Sequence, residues 1–248
     1  MWIAALLIAI EMHDKGSMEE VLEHYAALLQ EVGVWFNRCL SVAAGDISCK
    51  EGCSACCRGL FDITLLDACY LKSGFDQLDA AVKIPVIRRA EERLDRIRAV
   101  WPEFSSPYIL NFRPDDQWNQ LMPDDDMTPC LLLGEDGRCL VYDHRPMTCR
   151  LHGLPLVDVG GEVMDGDWCT MNFIGCDPLK KEELRFEFVR LFERELSLFR
   201  LFTARLLNHG FNELDTLIPT ALLMDFDGFD WKLWLKNAHP YLVNNNYA

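Results

Sequence analysis

Apolar positions recur at helical spacing over much of the chain. From Ser17 onward Val21, Leu28, Val32, Trp35 and Phe36 fall on one face, which predicts a helix from Ser17 to about Ala44. Ser17 followed three residues later by Glu20 has the form of a capping box, and Gly45-Asp46 ends the run. A short apolar helix is expected over Asp62 to Gly74. Pro85 then opens a helix with Ile87, Leu94, Ile97 and Trp101 as its buried stripe and its Arg and Glu residues in water. The longest helix is expected from Pro178 to about Asn208, with Asp177 as cap and Gly210 as stop. Leu184, Phe188, Leu191, Phe199, Phe202 and Leu206 line one of its sides. In the tail, Leu217 to Leu223, Phe229, Trp231, Trp234 and Leu235 are expected to pack on the body.

The intervening stretches lack this period. Five prolines lie between Trp101 and Cys130, with Asp115, Asp116, Asp124, Asp125 and Asp126 among them, so this segment is loop with short turns rather than a hard-cation site. Leu131 to Leu133 and Cys139 to Tyr142 flank Gly134-Glu135-Asp136-Gly137 and predict a small hairpin. A second is expected between Leu156 to Val159 and Glu162 to Met164, around Gly160-Gly161. No internal repeat is evident.

Composition narrows the class. Among 248 residues, 50% are apolar and 11% aromatic, which supports a folded core and excludes disorder. Against 24 Lys and Arg stand 39 Asp and Glu, a formal charge of −15 that disfavours nucleic acid as a partner. No run of 18 apolar residues spans a membrane. Met1 to Ile10 is apolar but has neither a basic flank nor a cleavage site, so no signal peptide is expected; Met12 or Met18 would also serve as a start.

The 11 cysteines change the picture most. An odd number, no secretory signal and a large core argue against a disulfide-stapled scaffold and for a reduced, cytoplasmic, metal-binding chain. Cys49, Cys53, Cys56 and Cys57 form one compact cluster. A C-x2-C turn brings two thiolates to one ion at about 2.3 Å, whereas adjacent Cys56 and Cys57 diverge, so one of them serves a second metal, bridges two, or stays outside the coordination sphere. Cys130, Cys139, Cys149, Cys169 and Cys176 form a wider cluster. Cys130 and Cys139 flank the hairpin, and Arg145-Pro146-Met147-Thr148-Cys149-Arg150 forms one helical turn. Cys39 and Cys69 sit in helical patterns and are expected as small buried apolar residues. His152 is a candidate nitrogen ligand, His144 is expected behind the ligands or at the surface, and Met147 and Met171 are expected to pack rather than ligate.

Cys49-x3-Cys53-x2-Cys56-Cys57, followed by Cys130-Leu-Leu-Leu-Gly-Glu-Asp-Gly-Arg-Cys139-Leu-Val-Tyr142-Asp-His-Arg145-Pro146-Met-Thr-Cys149-Arg150, resembles the YkgJ-type cysteine-cluster family. That family is described as a zinc- or iron-chelating domain. The likeness runs from residue 49 to about 152 and departs from the pattern at Leu131 to Leu133, where Pro and an aromatic are expected. It implies a metal site without naming a reaction. The order of Cys49, Cys53 and Cys56 is also similar to the cluster-binding triad of radical S-adenosylmethionine enzymes, but the repeated βα units of those enzymes are missing.

The expected fold is therefore mainly α: one helical domain over 1–248, with small β-hairpins around a cysteine-rich metal site. Residues 1–48 form its N-terminal helix, 49–176 its metal-binding region and 177–248 its C-terminal helical region. Two four-thiolate zinc sites, one mononuclear zinc or iron site and an iron–sulfur cluster all fit eight or nine thiols. The function classes left open are a metal-binding protein, an iron or iron–sulfur enzyme of electron or group transfer, and a metal-handling accessory to a protein client. At least two of Arg58, Arg138, Arg145 and Arg150 are expected to hydrogen-bond the sulfurs.

Overall fold

The computed structural model describes residues 17–50, 52–123 and 125–244. The expectations about Met1 to Ile10, Met12 and Asp124 lie outside these residues. The architecture is mainly α with two small antiparallel sheets, as anticipated.

Helix α1, Met18–Val42, begins where Ser17 Oγ accepts the Glu20 N–H at 3.2 Å, and it buries Val21, Tyr25, Leu28, Leu29, Val32, Trp35 and Cys39. Strand β1, Asp62–Thr64, leads directly into α2, Leu65–Asp76, whose N-terminus Thr64 caps by accepting the Asp67 N–H at 3.0 Å. The expected helix from Asp62 thus starts three residues later. Helix α3, Ala80–Val100, starts before Pro85 rather than at it. Pro85 sits in the second turn, where only one backbone hydrogen bond is forfeited.

After the proline-rich loop come α4, Met147–Leu151, entered by Pro146 as expected, and the hairpin of β2, Leu156–Val157, with β3, Val163–Asp165. The turn around Gly134 is a single antiparallel bridge, Leu133 to Cys139, rather than two strands. The helix expected from Pro178 is broken into two 3-10 turns, Pro178–Lys180 and Glu182–Leu184, before α5, Phe188–Leu207. Asp177 does cap, but only the first turn, and Asn208 in the left-handed conformation, not Gly210, ends α5. With 25 residues, α1 is longer than α5 with 20. Strand β4, Asp215–Leu217, runs into the short helix α6, Ile218–Ala221, and α7, Trp231–Asn244, follows.

Helices α1 and α5 pack together, tied by Arg194 forking onto Glu31 at 2.7 Å, and Trp35 Nε1 of α1 donates to the Leu184 carbonyl in the turn before α5 at 2.8 Å. Strand β4 pairs with β1, Ile63 opposite Thr216, and so joins chain segments some 150 residues apart. Asn111 fixes this sheet by accepting the Asp215 N–H at 2.6 Å. The large apolar cluster spans Val21 to Leu242, and a smaller one gathers Leu94, Ile97, Trp101, Phe104, Leu110 and Trp118 around the start of the loop. Trp231 and Leu235 are buried in the larger cluster, as expected of the tail.

Candidate metal centre

The two cysteine-bearing segments meet through their main chains. Cys130 N donates to the Cys57 carbonyl at 2.8 Å, Gly59 N donates to the Thr128 carbonyl at 2.8 Å, and Arg58 bridges Pro129. Leu140 N donates to the Leu132 carbonyl at 2.8 Å, which folds Cys139 back beside Cys130. Cys149 arrives on α4, which packs on α1.

All 11 cysteines are free thiols. Cys39 and Cys69 are buried in the apolar core, where desolvation pushes their thiols up to about 11 and about 12. The remaining thiols oppose one another's ionisation. Burial first, and then Cys53, Cys169 and Cys56, raise Cys49. Cys57 feels the charges of Cys130, Cys149 and Cys139, and Cys149 in turn feels Cys130 and Cys139. Cys56 and Cys57 touch: the hydrogen bond between them raises Cys56 and lowers Cys57. Burial raises Cys49, Cys130, Cys139 and Cys149. Cys176 is exposed.

Cys49 and Cys169 meet over Gly153. The Cys169 N–H donates to the Gly153 carbonyl at 3.2 Å, and a Cβ on Gly153, whose φ is +109°, would stand 3.4 Å from Cys49 Sγ. Asn172 was not anticipated from sequence, yet it is central here. Its Nδ2 donates to Cys49 Sγ at 3.3 Å and to the Gly153 carbonyl at 2.7 Å, while its Oδ1 accepts the Ser48 N–H at 2.8 Å. The sequence signal for it was slight: a polar residue three positions after Cys169.

The expected arginine contacts to sulfur take another form. Arg58 donates to the Met127 carbonyl, Arg145 to that of Tyr142, and Arg150 to those of Arg145 and Asp143. Arg145 also stacks over the Tyr142 ring at 3.6 Å, and its charge still acts on Cys56, Cys139 and Cys149. Side-chain donors that long are drawn to the unpaired carbonyls of the tight turns beside the cysteines. His144 stacks on Tyr70 at 4.9 Å, and His152 stands edge-on to Phe61 at 6.2 Å. Met147 is buried and Met171 is exposed.

Among the described residues, no three or more Cys, His, Asp or Glu side chains are drawn tightly enough together to hold an ion. The thiols nevertheless fit zinc or iron in kind, since soft sulfur donors gather in two places while charged oxygen donors do not. Residues 48–169 match the model of the family titled "CxxCxxCC: Putative zinc- or iron-chelating domain". This segment is similar to the CxxCxxCC family. The match covers Cys49, Cys53, Cys56, Cys57, Cys130, Cys139, Cys149 and Cys169 and stops short of Cys176. It supports metal binding by the CxxCxxCC segment. No curated protein and no solved structure matches the chain. No helix among the described residues is long and apolar enough to cross a membrane.

Proposed function

We propose that the CxxCxxCC segment binds two neighbouring zinc or iron ions, one through Cys49, Cys53, Cys56 and Cys169, the other through Cys57, Cys130, Cys139 and Cys149. The observation that supports this reading is geometric: Cys49 and Cys169 meet over Gly153, while Cys57 is joined to Cys130 by a peptide hydrogen bond and Cys139 folds back beside Cys130. In this reading adjacent Cys56 and Cys57, which are hydrogen-bonded to one another, serve different ions. Cys176 has no part in either set. The thiols rotate onto the ions and lose their protons on binding, so uptake releases protons and strengthens with pH. A bound zinc ion with four thiolates supplies a closed structural centre, and iron in the same donors supplies one-electron chemistry.

The test is metal analysis with absorption spectroscopy on untagged, full-length protein purified anaerobically without added metal. Two ions per chain are expected, about one of them lost in Cys169→Ser and the other in Cys139→Ser, with Cys176→Ser retaining both. Zinc gives a colourless protein and iron a coloured one. Less than about 0.5 metal per chain, with no cluster absorption, overturns the proposal.

A further inference from the structure

The outer face of α3 carries Arg89, Arg93 and Arg96, spaced i, i+4 and i+7 so that they share one side of the helix. They line a cavity of about 350 Å³ whose apolar floor is contributed by Leu60, Phe61, Ile218 and Pro219, with Cys130 also in its lining. In a chain with a formal charge of −15, three arginines against one hollow are a local reversal of the general field.

The three are differently committed. Arg93 is nearly buried; it pairs with the Asp126 carboxylate and reaches Thr128 Oγ1 at 3.4 Å, so its charge is neutralised. Arg89 is exposed and directs one Nη2 donor to the Leu131 carbonyl at 3.0 Å. Arg96 is exposed and, among the described residues, makes no ion pair or side-chain hydrogen bond. The acid on the same rim, Glu92, lies 3.9 Å from Arg88. A net positive rim over an apolar floor remains, at the lower end of the size range of small-molecule sites.

We infer that this cavity binds a small organic anion, with its carboxylate or phosphate head on Arg89 and Arg96 and its apolar body against Phe61 and Ile218. Guanidinium groups recognise both heads through paired N–H donors. The floor excludes inorganic anions as full occupants, because a bare ion leaves the apolar surface wet. The cavity has Cys130 of the cysteine group in its lining. The inference rests on the cavity and the arginines, and it holds whether or not metal is present.

Calorimetric titration of the full-length protein at low ionic strength with phenyl phosphate, phenylacetate, inorganic phosphate and benzyl alcohol tests it. One or both aromatic anions are expected to bind at one per chain, about ten-fold or more tighter than benzyl alcohol and than inorganic phosphate. The preferred head group distinguishes a phosphate ester from a carboxylate. Arg96→Ala and Arg89→Ala should each weaken binding by about five-fold or more with metal content unchanged. Arg96 is exposed, so its variant decides the matter even if Arg89→Ala does not fold. Absence of binding by both aromatic anions up to about 10 mM, equal binding of benzyl alcohol or of inorganic phosphate, or wild-type affinity in Arg96→Ala overturns the inference.

Discussion

The Asp67 carboxylate on α2 accepts the Met147 N–H at 2.9 Å, so a buried acid holds the first turn of the helix that carries Cys149. The same oxygen accepts the Tyr25 hydroxyl at 2.7 Å, which ties this pin to α1. Asp67→Ala leaves both buried donors unpaired and is expected to cost about 2–4 kcal/mol in chemical denaturation. Asp67→Asn retains an acceptor and should cost less. If Cys149 is a ligand, Asp67→Ala also lowers metal retention, which chelator competition measures.

Glu195, half-buried near Asp67, is pushed up to about 8 by burial and then by the Asp67 charge. A carboxyl whose folded value lies above its unfolded value contributes stability in full below the unfolded value of about 4.5 and loses it as pH rises toward 8. Urea unfolding of wild type and Glu195→Gln at pH 5 and pH 8 checks this. The wild type should lose more stability over that interval than the variant; parallel losses would show that Glu195 does not titrate there.

Gly74 faces His144 at close range: a Cβ at this position would stand 2.2 Å from His144 Cγ. His144 is held by stacking on Tyr70 and lies in the turn Tyr142–His144, so it has little room to withdraw. Gly74→Ala is expected to destabilise the protein by about 1–3 kcal/mol. Adding His144→Ala should restore part of that loss, a non-additivity that a double-mutant cycle in thermal melts reads directly.

Asn172 offers Cys49 a hydrogen-bond donor and spans Ser48 and Gly153. Asn172→Asp replaces that donor by a negative charge beside thiolates. In chelator competition it should weaken the ion of the Cys49 and Cys169 set by about ten-fold while leaving the ion of the Cys139 set in place. Equal weakening of both would mean that Asn172 acts on the fold rather than on one centre.

The parts legible in the sequence were those governed by near neighbours. Apolar spacing and Ser17 placed α1, Pro146 placed α4, and Gly160-Gly161 placed the β2–β3 hairpin. Strands β1 and β4 were missed because three residues show too little alternation, and their pairing is settled by contacts far apart in the chain. The two turns after Asp177 read as helix in the sequence because Leu184 and Phe188 keep helical spacing across a break. Which cysteine-bearing segments meet was not legible, since that depends on Gly153 and Asn172 bringing Cys169 to Cys49, and on the Cys57–Cys130 peptide contact.

That last contact bears on how an ion would be captured. Joining Cys57 to Cys130 closes a long loop, and such closure carries an entropic penalty that an ion would otherwise have to overcome. Peptide groups at Cys57, Gly59, Thr128 and Cys130 hydrogen-bond across that closure. An ion bound by both segments would share the cost of closing the loop with these backbone contacts rather than meet it alone.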